Sequence, residues 1–104
     1  MDEQDRKPGS EILERTRSEV RPPALFKVIL HNDDYTTMAF VVDVLETIFL
    51  KQPVDAYRLM MKVHVEGRAI CGLYPYEIAE TKVSAVHARA RKEACPLRAS
   101  LEPD

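Results

Sequence analysis

Apolar positions along the chain change period several times, and each change marks an element. Leu25-Phe26-Lys27-Val28-Ile29-Leu30 is β-branched and aromatic, which predicts a strand with Phe26, Val28 and Leu30 on one face. Val41, Leu45 and Ile48 then recur at i, i+4 and i+7. That spacing predicts a helix from about Thr37 to Leu50, with Thr36 or Thr37 as its cap. Ala39, three residues past Thr36, leaves out the reciprocal half of a capping box. Pro53 suits the first turn of a second helix, which runs to about Glu66, and Gly67 supplies its left-handed stop. On that helix Met60 and His64 are four apart and share a face, with Val63 beside them. Arg68–Tyr74 reads as a second strand. From Pro75 a third helix carries Ala79, Val83, Val86 and Ala90 at i, i+4, i+7 and i+11, a narrow core-facing stripe. Glu77 and Lys82 fall off that stripe and are expected to face water. Leu97 to Glu102 alternates with period two, a half-buried strand.

The order is strand, helix, helix, strand, helix, strand. It predicts a single small two-layer α+β domain, a three-stranded antiparallel sheet packed on three helices. Residues 1–23 stand apart. They mix acidic and basic residues, contain Pro8-Gly9-Ser10 and end at Pro22-Pro23. Such a segment buries too little to offset its ordering entropy. The expectation is a flexible N-terminal extension over 1–23 and a folded core over 24–104.

Charge and composition remove whole classes of function. Fifteen basic against seventeen acidic residues give a net charge of −2, so no basic field is present to hold nucleic acid. The longest apolar runs are a few residues, too short to span a bilayer. Met1-Asp2-Glu3-Gln4-Asp5 has neither a basic start nor an apolar middle and is not read as a signal peptide. A cytoplasmic protein without membrane partners is expected. Cys71 and Cys95 have no Cys-x-x-Cys spacing and no His at ligand distance in the sequence, so they read as small apolar residues.

The chemistry concentrates between the first strand and the first helix, in His31-Asn32-Asp33-Asp34-Tyr35-Thr36-Thr37-Met38. Asn and Asp there have an ordinary role, since their side chains bond nearby backbone N–H groups and make turns. A turn uses one or two of them. A catalytic reading finds no activated Ser or Cys, no phosphate cradle and no His pair at i, i+4, and adjacent carboxylates in an extended segment point to opposite sides. No catalytic residue, metal or cofactor is assigned. An ammonium ligand does fit: it brings three N–H donors and a positive charge, and Asn, Asp and neutral His are all acceptors.

These residues also carry a family resemblance. Pro22-Pro23, Lys27-Val28-Ile29-Leu30 with Asn32-Asp33-Asp34-Tyr35-Thr36, Met60 with Val63-His64, Ala69-Ile70-Cys71-Gly72, Ala79-Glu80-Thr81-Lys82-Val83 and Pro96-Leu97 together resemble the ClpS family, in order and at its spacing. The resemblance implies a non-enzymatic adaptor of the bacterial N-degron (N-end rule) pathway. Such an adaptor binds proteins beginning with Leu, Phe, Tyr or Trp, delivers them to the ClpA unfoldase of the ClpAP protease, and so modulates its choice of substrates. It implies that Asn32, Asp34 and His64 hold the free α-amino group, with Asp33 adding negative charge or a water-bridged contact. It further implies a pocket of Leu30, Thr36, Met38, Val41, Met60, Val63 and Leu97 for the first side chain, with Met38 as the gate against β-branched residues. Glu77 and Lys82 match positions that meet the N-terminal domain of ClpA, and the N-terminal tail matches an extension used in delivery. Thr37, Ala39 and Cys95 depart from the residues common in the family, which are Pro, Glu and His. The first two departures are expected to weaken helix initiation. An alternative keeps loop 31–37 as a turn only, in a structural or assembly module that works through Glu77 and Lys82.

Overall fold

The computed structural model describes residues 21–104. The expectation for residues 1–20 lies outside that range. The described chain runs β1 (Leu25–His31), α1 (Met38–Thr47), α2 (Pro53–Glu66), β2 (Arg68–Pro75), α3 (Tyr76–Lys92) and β3 (Arg98–Pro103). This is the expected βααβαβ order. The strands form one antiparallel sheet in the order β2-β1-β3, so the most apolar strand is central.

Val28 and Leu30 of β1 are buried on the helix side with Ala69 and Cys71 of β2 and Ala99 of β3. Opposite them lie Val41, Val44, Leu45, Ala56, Met60, Val63, Ala79, Val86 and Ala90 from the three helices, and Phe26 packs at the margin. The register between β1 and β2 steps from Val28↔Gly72 to Ile29↔Ile70, so Cys71 is the extra residue of a bulge. Burial in that core pushes the Cys71 thiol up to about 12, which leaves it protonated and unreactive. The reading of both cysteines as packing residues therefore holds for Cys71. Cys95 is partly buried against the same core.

On the far face of the sheet His31 Nε2 lies 2.7 Å from the Ser100 hydroxyl. Its cross-strand partners are Arg68 and Arg98. Burial and then the charges of Arg98 and Arg68 hold its pKa below the ordinary value, against an opposing pull from Glu102.

One boundary differs from the sequence expectation. The first helix ends at Thr47 rather than Leu50, because Ile48 and Phe49 both donate to the Val44 carbonyl and the chain then turns through Leu50 at φ 56°. That turn puts Phe49 in the core and leaves Leu50 exposed. At its other end the helix starts firmly: Thr37 is the cap, and its hydroxyl accepts from Phe40 N–H at 3.1 Å. The departure to Thr at this position therefore supplies a helix start of its own.

Candidate functional site

Gly67 brings the site together. It ends α2 at φ 91°, where a side chain would be strained, and its N–H bonds the Val63 carbonyl at 2.9 Å. Its own carbonyl accepts the Asn32 N–H at 2.9 Å. One residue thus ties the last turn of α2, which carries His64, to Asn32, just past the end of β1.

The loop that follows is folded by Asp33. Its Oδ1 accepts the N–H groups of Tyr35 at 2.8 Å and Thr36 at 2.7 Å, and its Oδ2 accepts the Thr36 hydroxyl at 2.7 Å. Partial burial pushes the Asp33 pKa up, but the bonds from Thr36 and Tyr35 together outweigh it and hold the carboxyl below its usual value. Asp33 is therefore the turn residue of the pair. Asp34, next to it, has no hydrogen bond to any described residue and is exposed, as are Asn32 and His64. Among the described residues those three are unspent acceptors around one opening.

Behind them lies a cavity of about 410 Å³. Its polar rim is Asn32, Asp33, Asp34 and His64, and its apolar wall is Met38, Val41, Met60 and Val63, with Thr36 between. Nine residues named from the sequence thus line a single cavity. Met60 and Val63 are buried at its floor, while Met38 is 46% exposed at its mouth. Leu30 and Leu97 do not line it. Leu30, on the central strand, is covered by the helices, and Leu97, just before β3, is buried in the same core. Tyr35 and Thr37 also line the cavity. Sequence reasoning placed them in the loop but gave them no place on the wall, since turn geometry decides which loop side chains face inward.

Glu77 is exposed on the first turn of α3, as expected. Lys82 is not free. Its Nζ donates to the Ile48 carbonyl at 2.6 Å and lies 5.5 Å from the centre of the Tyr74 ring. The end of α1 exposes carbonyls that lack helical partners, and a cation satisfies one of them. Among the described residues no three His, Cys, Asp or Glu side chains come together as a metal site, and no helix is long and apolar enough to cross a membrane.

Comparison with known proteins points to one family. The family model for the ATP-dependent Clp protease adaptor protein ClpS matches residues 21–100. The chain is 57% identical over 84 residues to the ATP-dependent Clp protease adapter protein ClpS of Nitratidesulfovibrio vulgaris (strain Miyazaki F), covering 81% of this chain and 84% of that one. It is 50% identical over 95 residues to the ClpS adapter protein of Vibrio atlanticus, covering 91% and 90%. The structure of Agrobacterium tumefaciens ClpS2 bound to L-phenylalaninamide superposes with a TM-score of 0.77 at 36% identity, over 80% of this chain and all of that one. With the family model matching most of its length and relatives at this identity, the chain belongs to the ClpS family of ATP-dependent Clp protease adaptor proteins.

Proposed function

We propose that the cavity holds the first residue of a polypeptide whose α-amino group is free and whose first side chain is Leu, Phe, Tyr or Trp. The observation that carries this reading is the pairing, in one 410 Å³ cavity, of unspent acceptors at the rim with an apolar floor. The ammonium is held by Asn32, Asp34 and His64, three acceptors for three N–H donors. Asp33 contributes its charge from one residue away, because its oxygens are occupied in the loop. The side chain rests on Met60, Val63 and Val41, with Met38 at the mouth excluding side chains branched at Cβ. The ClpS2 structure with bound L-phenylalaninamide, a free amine on an aromatic residue, supports the same chemistry.

Neither half of the ligand suffices alone. Burying one Leu or Phe side chain contributes roughly 1.5 to 3 kcal/mol, and each charge-assisted hydrogen bond nets roughly 1.5 to 3 kcal/mol. Two or three such bonds with the side chain approach the roughly 8 kcal/mol of a micromolar complex.

The bound protein is then delivered to the N-terminal domain of a ClpA-type unfoldase, through the surface around Glu77 and Lys82 and with the extension before the core. Without this chain, a reporter protein beginning with Leu is expected to be degraded slowly by ClpA with its peptidase. With the chain added, degradation accelerates, and a core lacking residues 1–20 binds the reporter without accelerating it. Equal degradation rates with and without the full chain contradict delivery.

A further inference from the structure

Two cations of α3 reach across to α1. Lys82 and Arg89 are seven residues apart, on one face of their helix. Lys82 holds the Ile48 carbonyl just beyond the last turn of α1. Arg89 donates to the Thr47 hydroxyl at 3.1 Å and to the Asp43 carboxylate, and its guanidinium lies 5.3 Å from the centre of the Phe40 ring. Phe40, Asp43 and Thr47 are three and four apart, so they form one flank of α1.

The core side of α1 is held by Val41, Val44 and Leu45, and this flank by its contacts with α3. The backbone of α1 packs extensively only against α2, whereas α3 lies against all three strands. The first turn of α1 carries Met38, and the next carries Val41, two walls of the cavity. A shift of α1 therefore changes the width of the cavity directly.

From these contacts we infer that Arg89, together with Lys82, is a positioning residue for substrate selection. Acting through Asp43, Thr47 and Phe40, it fixes where α1 stands, and so how closely Met38 and Val41 approach the first side chain of the ligand. The selectivity part of this inference rests on the function proposed above, while the positioning part does not. Lys82 thereby links the surface proposed to meet the unfoldase to the end of the helix that walls the cavity.

The Arg89–Asp43 pair is half-exposed, with side-chain exposures of 32% and 49%. A pair so placed contributes little to global stability, so its loss acts on the position of α1 rather than on folding. Arg89→Ala is therefore expected to fold and to move the methyl resonances of Met38 and Val41 in carbon–proton spectra, while those of Val28 stay in place. The preference for a Leu-initiated over an Ile-initiated peptide is expected to fall about threefold, the scale of one half-exposed ion pair. Arg89→Lys, which keeps the charge but loses the fork, recovers part of the preference. If Arg89→Ala does not fold, Asp43→Ala removes the same contact and leaves the guanidinium on Phe40. Unmoved Met38 and Val41 methyls, or an unchanged preference in a chain that binds peptide, overturn the inference. A wild-type chain that binds neither peptide contradicts the proposed function instead, and the methyl spectra then decide the positioning role alone.

Discussion

Replacing Asp34 with Ala is expected to weaken binding of a Leu-initiated peptide by about 10- to 100-fold and to leave the melting temperature where it is. The carboxylate has no hydrogen bond to any described residue and is exposed beside the cavity, so the folded chain loses nothing with it. The complex loses a charge-assisted hydrogen bond worth roughly 1.5 to 3 kcal/mol, and each 1.4 kcal/mol is about tenfold in affinity. Isothermal titration of the variant, with a thermal melt alongside, checks both halves. Unchanged affinity would remove Asp34 from the site.

Asp33→Ala, one residue earlier, is expected to lower stability and affinity together. It strips the acceptor from two backbone N–H groups and one hydroxyl, a loss of the same kind as removing a helix cap and on the order of 1 kcal/mol or more. The loop then no longer presents Asn32 and Asp34 in fixed positions. Asp33→Asn separates the two roles of the residue. Its amide oxygen still accepts both N–H groups, so stability returns apart from the share that the ionised carboxylate adds, and any affinity still missing measures the lost charge. The sign of the pH dependence follows from the lowered carboxyl pKa. The folded state favours the ionised form, so this stabilisation is complete above the ordinary value of 3.8 and is lost as pH falls through the lower folded value. Melts of the wild type and Asp33→Asn that converge as pH drops below 3.8 would agree with this account. Curves that stay parallel would not.

The contrast between these two neighbours shows what the sequence makes legible and what it does not. Element order and type follow from period alone, because the stripe on α3 and the alternation in β3 each admit one burial pattern. The polar run after β1 and the His64 face of α2 are legible separately, and it is the family resemblance that groups Asn32, Asp34 and His64, because the Asn32–Gly67 bond that joins the two segments leaves no mark in the sequence. Which of two adjacent Asp residues makes the turn is not legible. That depends on the direction of the loop, and only one of them meets the amides of Tyr35 and Thr36.

Leu30 and Leu97 show a second limit. Both are apolar and buried, but a core residue and the wall of a cavity have the same composition. Only packing separates them. Lys82 and Arg89 show a third. Their partners lie 34 and 46 residues away, and no periodicity connects residues at such separations. A lysine off the apolar stripe of an exposed helix is read as solvated, and here the open end of α1 turns it inward.

The most direct test of the central claim compares two peptides by fluorescence anisotropy against the full chain. Both begin with Leu and share one sequence, but one is N-acetylated. Acetylation removes the positive charge and two of the three donors that Asn32, Asp34 and His64 are proposed to hold, and leaves the side chain unaltered. Micromolar or tighter binding of the free peptide, with acetylation costing at least about 100-fold, is the predicted result. Equal binding of the two peptides, or of neither, would contradict recognition of a free N-terminus at this cavity.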